Sequence, residues 1–316
     1  MPQLRRFSVA LNRRASNGSL VSQILQRLRR SPSLVATGAG LAVVAGSVAA
    51  YAVLYEPYWL ELTRLELALP NLPSALDGLV IAHLSDFHLD RTADEMNPVL
   101  QAIAACNAAR PDVVVLTGDY TTGRNCLPTL EKTLGRLDGR PVFAVLGNHD
   151  YRFGRTYRKE LVATFERLGM TVLDNRSASI EHRGARLWFV GVGDGHTSHD
   201  RFGEAVLDLT ENDRPRVLLT HYPDLVFDLP IDQIDLALAG HTHGAQIHVP
   251  LVTALALRHS DTIFVGGLYW PRGVPLYVNR GLGTSGYPIR LFARPELALL
   301  TLRVSAEVDA EDQRRG

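Results

Sequence analysis

Five short blocks of this 316-residue chain carry residue types that bind metal ions: Asp86-Phe87-His88, Gly118-Asp119, Gly147-Asn148-His149-Asp150, His221, and Gly240-His241-Thr242-His243. A lone His-x-His means little, since such pairs are common on surfaces. Taken together, Asp86, His88, Asp119, Asn148, His221, His241 and His243 offer more donors than one first-row ion accepts. Shared between two divalent ions, with one carboxylate bridging, they leave room for water. Imidazole, carboxylate and amide oxygen suit Mn, Fe, Zn or Co and argue against a soft thiolate site. Two ions about 3.5–4 Å apart are a standard arrangement for in-line attack at phosphorus.

The elements that must position these donors are short apolar strands. Residues 80–85, 113–117, 142–146, 217–220 and 236–239 are runs of β-branched and aliphatic side chains, the mark of strands buried on both faces. Each delivers its Asp, Asn or His just past its carboxyl end, where open α/β sheets gather ligands. Gly240 is expected to permit the turn that lets both following imidazoles point into one space.

Asp-x-His, Gly-Asp, Gly-Asn-His-Asp, His and Gly-His-x-His, in this order, resemble the calcineurin-like metallophosphoesterase superfamily. Residues 240–247 and the later run Tyr277-Val278-Asn279-Arg280-Gly281-Leu282-Gly283-Thr284, followed by Pro288-Ile289-Arg290, are similar to its membrane-associated bacterial YkuE/YaeI-like branch. Ala245 departs from that pattern, standing where the branch usually has a second glycine. The resemblance implies that Asp86, His88 and His243 hold one ion and Asn148, His221 and His241 the other, with Asp119 as bridge and participant in catalysis. A hydroxide bridging the ions is the implied nucleophile. His149, directly after a ligand, is read as the donor of a proton or hydrogen bond to the leaving oxygen. Asp150 either orients it or caps the following helix.

Before Glu56 there is no acidic residue, yet seven arginines lie within residues 1–33. Residues 34–55 are uncharged, and as a helix they span about 33 Å, enough for the hydrocarbon core. Arginines before this stretch, and Glu56 and Glu61 after it, place the amino end in the cytoplasm and the rest outside the cytoplasmic membrane. A retained single-pass anchor is favoured over a cleaved export signal because the uncharged stretch is longer than a usual signal core. Arg29-Arg30 and the small residues at 49–52 keep the export reading open.

Residues 62–304 form the expected catalytic domain. An edge strand over 62–69 precedes a β-α-β alternation, with helices over 98–109, 127–137 and 157–168 and a strand over 170–173. Further strands are expected over 178–181, 186–192, 263–265, 276–278 and 297–304. The fold class implied is an α/β, four-layer αββα sandwich of two mixed sheets flanked by helices, with an N-terminal transmembrane helix. The polar segment 305–316 is expected to be disordered.

His83 is read as structural, and His182, His199 and His259 as solvated. His196 and His248 are candidates to contact substrate. Arg280 and Arg290 flank a Gly-rich stretch, and a guanidinium is a natural fork for phosphate. Cys106 and Cys126 lack metal-type spacing. Zero formal net charge gives no reason to expect nucleic acid. The expected activity is hydrolysis of phosphoesters, diesters first, lipid-linked or envelope-derived, at the extracytoplasmic face of the cytoplasmic membrane. A lipid pyrophosphatase of the UDP-2,3-diacylglucosamine hydrolase type is the alternative. A scaffold that has lost catalysis is a second alternative, though no ligand position is missing.

Overall fold

A computed structural model of the chain describes residues 32–70, 72–91, 97–257 and 262–305. The basic segment before residue 32, the tail after 305 and His259 lie outside the described residues. The chain divides into two units, Met1–Ala50 and Tyr51–Gly316.

An α-helix over Pro32–Leu54 contains no charged residue. The stretch Ala36–Tyr58 is long and apolar enough, by length and composition, to cross a membrane.

From Glu61 the chain builds two six-stranded mixed sheets. The strands are β1 (Glu61–Leu69), β2 (Val80–Leu84), β3 (Val113–Thr117), β4 (Val142–Val145), β5 (Thr171–Val172), β6 (Arg176–His182), β7 (Ala185–Gly191), β8 (Arg216–Leu219), β9 (Leu236–Ala239), β10 (Gly267–Tyr269), β11 (Leu276–Val278) and β12 (Glu296–Val304). The first sheet runs β1-β12-β2-β3-β4-β5 and the second β10-β11-β9-β8-β7-β6. Strands β2, β3 and β4 are mutually parallel, as are β7, β8 and β9. The ligand-bearing ends within each sheet therefore lie along one edge.

Why the strands read as unbroken apolar runs follows from the layers. Side chains alternate between the faces of a strand, and here both faces are covered. On β3, Val113 and Val115 enter the core between the sheets, while Val114 and Leu116 enter the core under the helices. Phe143 of β4 stacks on Phe189 of β7 across the inter-sheet layer, centroids 4.7 Å apart. Helices Pro98–Ala109, Leu127–Leu134 and Arg155–Arg167 close the outer face of the first sheet through Ile103, Leu134 and Phe165.

The outer layer of the second sheet is thinner. It is built from the single-turn helix Phe202–Ala205 and short 3₁₀ turns that bring Leu225, Val226 and Ile231 onto Leu218 and Ala237.

One expectation about elements is corrected. Residues 263–265 are not a strand: the amides of Val265 and Gly266 both donate to the Tyr269 hydroxyl, and the strand forms after this turn, at β10. Residues 250–257, unassigned in the sequence reading, form a helix.

Candidate metal centre

Strands β2, β3 and β4 of the first sheet and β8 and β9 of the second deliver their terminal residues to one buried cluster. His88 Nε2 faces His243 Nε2 at 3.1 Å, and His243 Nε2 lies 3.2 Å from Asp86 Oδ1. A second group adjoins it: His221 Nε2 is 3.1 Å from Asn148 Oδ1 and 3.2 Å from His241 Nδ1. Between them, Asp119 Oδ2 lies 3.4 Å from His88 Nε2 and 3.3 Å from His221 Nε2. All seven residues singled out by their spacing thus converge, with the Asp119 carboxylate in the middle.

The backbone reaches this arrangement through left-handed conformations that L residues rarely adopt. Asp86, His88, Asp119, His241 and His243 all have φ between 42° and 76°. Such conformations cost free energy and persist where the surroundings over-determine them. Gly240 has a different role from the one expected. The turn is made by His241 and His243 themselves, and Gly240 is required for close approach: a Cβ there would sit 1.9 Å from Ser85 Oγ and 2.5 Å from Asp86 Oδ2.

Each carboxylate is held by one oxygen and presents the other. Asp86 Oδ2 accepts the Ser85 hydroxyl at 2.6 Å and the His241 amide at 3.0 Å, while Oδ1 is buried with no hydrogen-bond donor. Asp119 Oδ1 accepts the His149 amide at 2.9 Å, leaving Oδ2 to the imidazoles. On His221, Nδ1 lies 2.6 Å from the Thr117 carbonyl, to which it donates, so Nε2 is the atom that would face a metal ion once it gives up its proton.

The electrostatics follow from burial and proximity. Burial opposes charge on His221, but Asp119 outweighs it and holds the imidazole well above its ordinary range. On Asp119, burial would raise the carboxyl, yet His221 and then His88 hold it far below the usual carboxylate range. Burial lowers His88, lowers His243 strongly and brings His241 down to about 4. These three imidazoles are therefore neutral, the form that binds a metal ion.

The donors fit metal ions on two observations. Nitrogen and oxygen ligands about 2.0–2.2 Å from one ion sit about 3–3.5 Å from each other, which is the spacing found within each group. Asp86 Oδ1 is an orphaned buried oxygen among imidazoles, an arrangement that costs several kcal/mol unless a cation offsets it.

His149 sits at the rim. Its side chain is 22% exposed, with Nε2 4.0 Å from Asp119 Oδ2 and its ring edge-on to His88. His196 is exposed, its ring centroid 5.5 Å from that of His241. Tyr222, which the sequence reading did not single out, stands edge-on to His241 at 5.4 Å. His248 is half-buried beside the 285–292 loop, its amide donating to Leu291 O.

Asp150 touches no imidazole. Its carboxylate accepts the amides of Gly147, Asp119 and Tyr120, tying the β3 and β4 loops together. His83 is structural as expected, buried with Nε2 2.8 Å from Thr117 Oγ1. His199 is not simply solvated but stacks on Tyr151 with centroids 4.0 Å apart.

The two arginines proposed for phosphate are committed elsewhere. Arg290 is fully buried, and its guanidinium donates to the carbonyls of Arg280, Gly281, Gly283 and Ala293. Arg280 pairs with Glu296 at 2.9 Å and Glu61 at 3.3 Å. Neither has a free fork for substrate. Together they hold the Gly281 loop against the site, where a Cβ on Gly281 would come within 2.6 Å of Asp86 Cβ.

A buried His/Asp cluster at the carboxyl edge of a double sheet defines a candidate metal centre. The chain belongs to the calcineurin-like phosphoesterase family, which its residues 79–245 match. It is 33% identical over 278 residues to the phosphodiesterase YaeI of Escherichia coli, covering 87% of this chain and 99% of that one. It is 29% identical to the uncharacterized metallophosphoesterase YkuE of Bacillus subtilis, over 83% of this chain and 92% of that one. A transmembrane protein with metallophosphoesterase domain from Danio rerio is 27% identical over 90% of this chain and 68% of its own length. The chain is a metal-dependent phosphoester hydrolase.

Proposed function

We propose that this chain is a two-ion phosphodiesterase tethered to the membrane by its apolar helix, with the catalytic domain on the extracytoplasmic side. The observation that carries the reading is Asp119 Oδ2, poised between His88 and His221 at nearly equal distances. Asp86, His88 and His243 would hold one ion and Asn148, His221 and His241 the other, with Asp119 shared.

Divalent ions bound there supply Lewis acidity that lowers the pKa of a water and offsets charge on the phosphate oxygens. The chain's residues do the rest. Asp119 and Asp86 neutralise part of the cationic charge, and Asn148 contributes a neutral oxygen so that an incoming phosphodiester is not repelled. A bond forms from water oxygen to phosphorus as the bond to the leaving oxygen breaks. His149, at the rim and partly solvated, gives the leaving oxygen a hydrogen bond or proton, and the products are a monoester and an alcohol. His196 and Tyr222, whose rings lie 5.5 Å and 5.4 Å from that of His241, would touch the non-reacting ester group.

The orientation rests on charge: seven arginines precede the helix and glutamates follow it. A lipid-borne or envelope phosphodiester is the substrate class that such a tether brings within reach. Diester preference is supported by the likeness to YaeI, described as a phosphodiesterase. Full-length protein supplied with Mn²⁺ or Zn²⁺ should hydrolyse bis(p-nitrophenyl) phosphate faster than p-nitrophenyl phosphate. A preference for the monoester would overturn the diesterase reading.

A further inference from the structure

An exposed apolar surface borders the metal centre and continues to the end of the membrane-crossing stretch. Residues 244–257, directly after His243, contain no Asp, Glu, Lys or Arg. In the helix Pro250–Leu257, Leu251 and Leu255 lie one turn apart on the same side and are exposed, Leu251 to 81%, whereas Thr253 is buried with its hydroxyl on Ile247 O. Ile247, also exposed, bridges to Leu291. The neighbouring loop carries Tyr287, 79% exposed, and Phe292, 66% exposed. Large side chains that face water together are unusual on a soluble surface and mark a contact.

What covers this surface is indicated by its continuity with the candidate span. The Arg290 amide donates to Ala52 O at 3.0 Å, and the Ala293 amide to the buried Glu56 carboxylate at 2.6 Å, so Phe292 emerges beside the last turn of the helix. Tyr55, Tyr58 and Trp59 are partly exposed at that same end, the residue types that sit at the level of lipid headgroups. Arg294 lies over the Trp59 ring at 3.9 Å.

We propose that Ile247, Leu251, Leu255, Tyr287 and Phe292 seat in the interfacial layer of the bilayer that the helix enters, and so hold the metal centre at the lipid surface. An apolar face of this kind sinks into the headgroup and acyl boundary. The substrate then presents its phosphodiester from the membrane while its acyl part stays in lipid. This deepens the diesterase reading and rests on it.

The test uses full-length chain reconstituted in phosphatidylcholine–phosphatidylglycerol bilayers, spin-labelled at L251C, with L41C in the apolar helix as the lipid reference. L207C, at a site 79% exposed and remote in sequence, is the water reference. Collision with oxygen should exceed collision with a water-soluble nickel chelate at position 251, as at 41. Behaviour like position 207 would overturn the inference, and so would shielding from both relaxants, the mark of a protein partner.

The second arm measures turnover of a diacylglycerol p-nitrophenyl phosphodiester doped into the same vesicles, against soluble bis(p-nitrophenyl) phosphate. The variant L251E/L255E should lose at least about tenfold on the lipid substrate and keep the soluble rate. Equal rates on the lipid substrate would refute the membrane seat. Wild type inactive on the soluble diester would instead remove the underlying hydrolase reading.

Discussion

Asp150 holds Asp119 by its backbone: the Asp150 carboxylate accepts the Asp119 amide at 2.9 Å while touching no imidazole of the cluster. The same carboxylate accepts Gly147 N and Tyr120 N, so one buried side chain fixes the loops after β3 and β4. Burial, and then the Asp119 charge, push its pKa up to about 7, against the pull of those amides. Asp150→Ala should leave these donors unpaired and destabilise the fold by about 2–4 kcal/mol. Metal affinity should fall with it, although no metal donor is removed. Urea denaturation and metal titration check both effects; loss of neither would show that the amides find other partners.

His149 is expected to act on the leaving oxygen, and its effect should therefore depend on how good that leaving group is. His149→Gln should slow hydrolysis of an alkyl phosphodiester by about 10²–10⁴-fold. It should slow a p-nitrophenyl ester much less, since p-nitrophenolate departs without help. A series of esters with rising leaving-group pKa measures the slope. An equal loss across the series would mean that His149 serves the metals or the fold.

Ala245 sits at φ 62°, a left-handed position two residues beyond His243. An L residue there costs about 1–2 kcal/mol relative to glycine, partly offset by the chain entropy that glycine adds to the unfolded state. Ala245→Gly should stabilise the protein by up to about 1 kcal/mol with activity retained. Thermal unfolding of the two proteins makes the comparison, and a fall in Tm would contradict the strain argument.

His83 is fully buried, and burial lowers its pKa from 6.5 to about 4 despite the nearby Glu296. The folded state thus binds fewer protons than the unfolded state between those values. Stability from this residue is complete above about pH 6.5 and falls as pH drops toward 4, by about 3 kcal/mol in all. In His83→Gln that share of the acid destabilisation should vanish, so the stability gap between variant and wild type should narrow toward pH 4. A gap independent of pH would rule out a neutral buried imidazole.

Much of the site was legible because the strands that carry it are covered on both faces. Runs such as Val113-Val114-Val115-Leu116 have one physical explanation, and the polar residue that ends each run stands out against it. What was not legible depended on contacts between distant segments. Gly240 reads as a turn residue locally, but its role is set by Ser85 and Asp86, which approach from β2. Arg290 beside glycines reads as a phosphate fork, and only the folded loop shows carbonyls converging on its guanidinium. Residues 263–265 are a β-prone apolar run, yet the Val265 amide goes to the Tyr269 hydroxyl and the Phe264 amide to Thr262 Oγ1 rather than to a neighbouring strand. Residues 250–257 are apolar nearly all round, so no helical stripe marks them in the sequence.

The central claim is that Asp119 is shared by two ions. Metal content per chain, measured by elemental analysis after dialysis against trace Mn²⁺ or Zn²⁺, tests it most directly when wild type and Asp119→Asn are compared. Two ions per wild-type chain are expected, with one or none in the variant, which should keep its fold and lose activity by about 10³-fold or more. A wild-type chain that binds a single ion, or a variant that retains both ions and full turnover, would contradict the account.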